Sequence, residues 1–170
     1  PPQDGEFVGL SVSPDGKLIA YHSQSQTDGV LKQSLLRISA EGGQTVQLAD
    51  IDCHSPHFSP DGRYLSCVSS DWKTISVVSA TDGTVVKNFK PTEGSVLNTG
   101  VFWTPDGKSL AYIAYQQNAG NIYAQPVDGN ATRKLTDFTS GEIYNLAFSH
   151  DGSQLYLARG YAVRNTVLIK

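Results

Sequence analysis

Four histidines, two cysteines and a recurring aspartate are the residues of this chain with the plainest capacity for chemistry. The aspartates sit in four related motifs: Ser13-Pro14-Asp15-Gly16, Ser59-Pro60-Asp61-Gly62, Thr104-Pro105-Asp106-Gly107 and Ser149-His150-Asp151-Gly152. Calcium takes six or more oxygens from a compact loop, and each motif offers a single carboxylate. Turn chemistry accounts for them better. The Ser or Thr oxygen accepts a bond from the backbone two residues on, Pro pre-sets φ at the second position, and Gly supplies the left-handed residue. The histidines are His22, His54, His57 and His150. His54 and His57 lie three apart on an extended segment, so they point to opposite faces and are not expected to share a metal. His22 follows a core strand and His150 sits within a turn, so all four read as surface or turn residues. No metal and no cofactor is expected. Folding Cys53 and Cys67 about the second motif puts them on opposite faces, which implies two free thiols and no information on redox compartment. No Gly-x-Ser-x-Gly elbow or phosphate-cradling glycine loop occurs, and the chain is expected not to be an enzyme. Asn130-Ala131-Thr132 fits the glycosylation pattern but reads as an extension of the Asp128-Gly129 turn.

The motifs recur at intervals of 46, 45 and 45 residues, a period that signals a repeat architecture. Their flanks alternate as strands do: Leu10 and Val12, Pro56 and Phe58, Val101 and Trp103, Leu146 and Phe148 before the turns; Ile19 and Tyr21, Leu65 and Cys67, Leu110 and Tyr112, Leu155 and Leu157 after them. Third strands are expected at 34–39, 74–79, 121–127 and 165–170, and fourth strands near 46–48, 85–89 and 132–135. Four antiparallel strands per period of about 45 residues make the blade of a β-propeller. The expected fold is therefore all-β, one partial propeller over residues 1–170. Its repeats run approximately 6–50, 51–96, 97–141 and 142–170, the last lacking its outer strand. Such a piece closes alone, forms half of a larger ring, or belongs to a propeller with further blades. Its open edge favours self-association as a homodimer.

Composition agrees. The 170 residues are 39% apolar and 17% charged, with 16 Gly and 8 Pro, which suits short strands and tight turns. A net charge of −3 with scattered basic residues argues against nucleic acid as a partner. No apolar run reaches the roughly 18 residues of a membrane span, so this segment is expected to make no membrane contact. Met is absent, and the chain reads as an excised or processed piece of a longer protein.

An aromatic before Ser-Pro-Asp-Gly, then Lys or Arg, then Leu-Ala-Tyr, resembles the TolB-like repeat related to WD-repeats; residues 58–68 and 103–114 match best. The stretches 135–138, 155–160 and 167–169 resemble the C-terminal sensor propeller of bacterial transmembrane Ser/Thr protein kinases. The resemblance implies a non-catalytic sensor or protein-interaction domain in the extracytoplasmic, periplasmic part of a bacterial membrane protein. A peptide, protein or small ligand would be its partner. The accessory propeller of an oligopeptidase-type serine hydrolase is the alternative, and a self-assembling structural fragment a third.

Recognition is expected on the face opposite the four turns, in the segments 22–31, 70–73, 115–120 and 159–164 and in the blade-to-blade connections 49–54, 91–99 and 138–144. Trp72, Tyr115, Tyr144, Arg159, Tyr161 and Arg164 are the candidate ligand-binding residues there, since aromatic side chains and Arg dominate binding hot spots.

Overall fold

The computed structural model describes residues 6–92, 96–97, 100–116, 119–149 and 151–161. They form antiparallel sheets arranged in sequence order. The first sheet contains β1 (Glu6–Val12), β2 (Leu18–Thr27), β3 (Val30–Ser39) and β4 (Val46–Ala49). The second contains β5 (His54–Phe58), β6 (Tyr64–Val68), β7 (Ile75–Ser79) and β8 (Val85–Phe89). In the third, β9 (Val96–Leu97) and β10 (Phe102–Trp103) both pair with β11 (Ser109–Gln116), followed by β12 (Ala119–Pro126) and β13 (Arg133–Lys134). β14 (Glu142–Phe148) and β15 (Leu155–Gly160) form the described part of the fourth. The third strand expected at 165–170 lies outside the described residues.

Three apolar clusters lie between consecutive sheets, and strand parity explains them. Leu65, Cys67 and Val78 of the second sheet pack with Ala20 and Leu35 of the first. Val68, Ile75 and Val77, from the opposite face, pack with Leu110, Tyr112 and Tyr123 of the third. Ala111, Ile113 and Ile122 turn the other way, onto Ile143 and Leu146 of the fourth. Cationic side chains link neighbouring blades near their rims: Arg37 donates to the Ala80 carbonyl at 2.8 Å, and Lys87 to that of Val127 at 2.9 Å.

The four motifs are hairpin turns, with a hydrogen-bond pattern that differs from expectation. The Ser13 hydroxyl donates to Asp15 Oδ1 at 2.6 Å and accepts the Leu18 amide, five residues on, at 2.9 Å. Asp15 in turn accepts the Lys17 amide at 3.1 Å. The same Ser/Thr-to-Asp bond, 2.6 Å each time, recurs at Asp61, Asp106 and Asp151. The hydroxyl holds Asp15 and Asp106 below the ordinary carboxylate value, and Asp151 is lowered to about 2. The turns also stack around the arc. A Cβ built on Gly62 would meet Pro14 at 3.5 Å, one on Gly107 would meet Pro60 at 3.8 Å, and one on Gly152 would meet Pro105 at 3.2 Å.

Two sequence expectations are corrected. Residues 22–31 are not a loop but the arms of one long hairpin. Asp28 and Gly29 both have positive φ, 51° and 77°, as the tight two-residue turn requires. Cys53 and Cys67 are not free thiols; they form a disulfide with a Cα–Cα distance of 5.1 Å. The parity argument failed because β5 is bulged. Phe58 pairs with Leu65 and His57 with Ser66, but the register then slips, so that His54 pairs with Val68. Ser55 takes φ 48° within that slip. One extra residue moves Cys53 to the face of Phe58, Leu65 and Cys67, and all four share one core.

Candidate functional site

Three of the six candidate binding residues converge on the fourth sheet: Tyr144 within β14, Arg159 near the end of β15 and Tyr161 just beyond it. Arg159, in β15, places its guanidinium 4.1 Å from the Phe138 ring centroid and 5.9 Å from that of Tyr161. It also donates to the Ser140 carbonyl. The Ser140 hydroxyl lies 3.2 Å from the Tyr161 hydroxyl. That hydroxyl, with the Arg159 cation, holds the Tyr161 phenol below its ordinary value. Tyr144, at the bulge of β14, lies along the Gly160 backbone, where a Cβ would come within 3.3 Å of its ring. Tyr144 and Tyr161 are 48% and 66% exposed. An anchored cation thus lies between aromatic planes, the arrangement that cation–π attraction favours.

Beside this patch opens a cleft of about 550 Å³, lined by Gln116, Asn121, Lys134, Asp137 and Phe138 among others. Its polar frame is Asn121, a buried residue that the motif search missed. The Asn121 carboxamide oxygen accepts the Phe138 amide at 2.7 Å and the Thr136 hydroxyl at 3.0 Å, while its NH2 donates to the Phe138 carbonyl at 3.0 Å. One side chain therefore fixes the segment that presents the Phe138 ring. Lys134 and Asp137 pair at 2.5 Å on the rim. An Asn on an alternating apolar strand was the available signal, since a buried amide must find partners.

The repeated blades, the stacked turns and the inter-sheet cores match one known pattern along nearly the whole chain. The TolB beta propeller domain family fits residues 6–170. The chain belongs to that family. It is 30% identical over 113 residues to dipeptidyl-peptidase 5 of Porphyromonas endodontalis, a match covering 62% of this chain and 16% of that protein. The chain thus spans about a sixth of that relative's length. Among solved structures it is similar to TolB from Acinetobacter baumannii, with TM-score 0.71, 20% identity and coverage of 95% of this chain and 39% of the other. It is also similar to an oligogalacturonate lyase in complex with manganese, with TM-score 0.73, 18% identity and coverage of 91% and 47%. At such identities these two likenesses concern the fold alone.

The other candidates of the TolB domain separate by role. Tyr115 is half-buried in β11 and braces two blades: its hydroxyl accepts the Ile143 amide at 3.0 Å and donates to the Ile143 carbonyl at 2.9 Å. Trp72 is partly buried against the core between sheets two and three. Its turn repeats the hairpin chemistry, with the Ser69 hydroxyl donating to Asp71 at 2.5 Å and Trp72, at φ 60°, in the position Gly takes elsewhere. Arg164 lies outside the described residues, as does His150. The expectation of surface or turn histidines is corrected for His22, which is fully buried with its ring centroid 4.5 Å from that of His54. The alternation of β2 places it on the face of Ala20, which packs on the second sheet. Burial, then the neighbouring His54, pushes its pKa down to about 4 against the opposing pull of Asp52. His57 donates from Nδ1 to the Ser55 carbonyl at 2.8 Å, and burial lowers its pKa too.

Proposed function

We propose that this TolB domain is a non-catalytic binding module of a larger bacterial protein, taking a short peptide or similar polar ligand at the Phe138–Arg159 cleft. The observation that carries the reading is the guanidinium held on Phe138 beside an open cleft, with Tyr144 and Tyr161 exposed on the same patch. Arg suits a carboxylate, and rigid aromatic planes give contact area at low entropic cost. The resemblance to receptor-kinase sensors supports a sensing role for the parent. The Cys53–Cys67 bridge supports an oxidising, extracytoplasmic setting. Among the described residues no helix is long and apolar enough to cross a membrane. Fluorescence titration with a panel of short peptides bearing free C-terminal carboxylates tests the site. Arg159→Ala and Tyr161→Ala should each weaken binding by about thirtyfold, the size of a hot spot of about 2 kcal/mol, with the melting temperature unchanged. Binding that survives both substitutions refutes this site.

The similarity to a dipeptidyl-peptidase favours one second reading, in which the blades gate substrate entry for a hydrolase domain elsewhere in the parent. Fluorophosphonate labelling of the full-length protein separates the two: a labelled serine supports the peptidase parent, and none supports the binding module.

The chain also self-associates in our reading. Phe7 and Leu10 are 54% and 66% exposed and line a shallow apolar depression with Gly9, Ile19, Tyr21 and Ile38 on the first sheet. An uncovered apolar blade face invites a second copy. Light scattering on an eluting size-exclusion peak should give a dimer that Leu10→Lys converts to monomer, whereas a wild-type monomer at every concentration removes the proposal.

A further inference from the structure

His22, His54 and Asp52 come together where β2 of the first sheet meets the connection entering the second. One ligating atom from each lies within 4.8 Å of the others. Four of their polar atoms are buried without a hydrogen-bond partner in the protein: Nδ1 and Nε2 of His22, Nε2 of His54 and Oδ1 of Asp52. Buried nitrogens and oxygens are normally paired, so unpartnered atoms on three neighbouring side chains, with one ligating atom of each close to the others, require an explanation. His22 is 0% exposed and has no route to solvent for either ring nitrogen.

The carboxylate is held as a metal ligand usually is. Asp52 Oδ2 accepts the Ser70 amide at 2.8 Å and the Ser70 hydroxyl at 2.7 Å. Oδ1 is thereby oriented toward His54 Nε2, 3.6 Å away. Outer-shell bonds of this kind fix ligand orientation at metal centres. Asp52 and His54 flank Cys53, whose disulfide to Cys67 ties this stretch to β6, so the two ligands are anchored from opposite sides.

We propose that His22, His54 and Asp52 form a binding site for a divalent transition-metal ion. Two imidazoles and one carboxylate suit Zn²⁺ and its borderline neighbours better than Ca²⁺ or Mg²⁺, which prefer all-oxygen shells. Ligands on one tetrahedral zinc ion lie about 3.4 Å apart when each bond is about 2.1 Å. Closure from 4.8 Å to that spacing takes a shift of about 1.4 Å shared between the side chains. Three protein ligands leave a further position for water on the side of Asp52, whose side chain is 35% exposed.

The full-length protein, stripped by chelator and dialysed, should take up one equivalent of Zn²⁺ per chain, read by calorimetry and elemental analysis. Co²⁺ alone should give visible ligand-field bands. His54→Gln and Asp52→Asn, both on partly exposed residues, should each lower Zn²⁺ affinity by about 10- to 100-fold, and Ser70→Ala, which leaves all three ligands in place, by about tenfold. Circular dichroism confirms that each variant is folded, and His22→Asn completes the set where it folds. Zn²⁺ uptake of equal affinity in His54→Gln and Asp52→Asn overturns the proposal, because it places the ion elsewhere. So does a Zn²⁺-soaked crystal whose density shows a water bridging His22 and Asp52 with no anomalous scatterer.

Discussion

Removal of the Cys53–Cys67 bridge should destabilise the domain by an amount set by the chain it closes. The cysteines are 14 residues apart, and closing a loop of that length in the unfolded chain is worth about 3 kcal/mol on the chain-entropy account. Both cysteines are fully buried in the core between the first two sheets. The Cys53→Ala/Cys67→Ala pair thus also loses a little packing without burying a new polar group, whereas serines would bury two hydroxyls. At about 2–4 °C per kcal/mol for a domain of this size, the melting temperature should fall by about 6–12 °C. Calorimetry of the wild type and the double variant gives the number. Alkylation in denaturant without reductant provides the chemical control, and should add no label to the wild type and two labels after reduction. Two labels before reduction, or a melting temperature unmoved by the double substitution, would refute the bulged register of β5 together with the bridge.

Gly16 and Gly9 share nearly the same φ, 74° and 75°, but only Gly9 is crowded, a Cβ there lying 2.8 Å from the Ser55 Cα. Gly16→Ala should cost about 1–2 kcal/mol of strain alone, and Gly9→Ala a further 1–3 kcal/mol or so for overpacking; equal costs in urea unfolding would contradict the close approach of β1 and β5. Tyr115→Phe leaves the buried Ile143 amide and carbonyl without their partner and should destabilise by about 1–3 kcal/mol, while peptide binding at the Arg159 patch persists. The turn aspartates have folded pKa values below their unfolded ones, so their contribution is present above about pH 4 and is lost as pH falls toward the value of about 2 held by Asp151. An acid-unfolding profile should show that limb, and Ser149→Ala should shift its Asp151 component upward in pH.

The sequence resolves most of the scaffold because the period-2 pattern was double. On β6 and β11 both sets of alternating residues are apolar or small, and each set packs on a different neighbouring sheet. Only a strand enclosed between two blades reads that way. The hairpin at Asp28-Gly29 carries a plain two-residue turn signal, but its first arm, 22–27, is polar throughout and so resembles a loop. The binding patch was legible as residue types but not as a cluster. Phe138 and Asn121 complete it through tertiary contact; Asn121 is marked in the sequence only as an amide on an apolar strand, and Phe138 has no local signature.

One residue accounts for the two largest departures. Counting strictly by twos back from Phe58 places Cys53 away from Cys67. The extra residue at Ser55 restores the bridge. The same count directed the search for metal ligands to the pair His54 and His57, whose opposite faces excluded them. The informative pair was Asp52 and His54, two apart around the cysteine, with His22 arriving from another blade. No spacing rule within a repeat could find a cluster contributed by two repeats. Bulges recur in the inner strands β1, β5 and β14, within a few residues of equivalent positions before their turns. The slip is therefore a property of the blade, placed where inner strands crowd together, as Gly9 and Gly100 do on Ser55. Faces assigned N-terminal to that point in the first, second and fourth blades should be inverted, and the disulfide is the covalent test of that rule in the second.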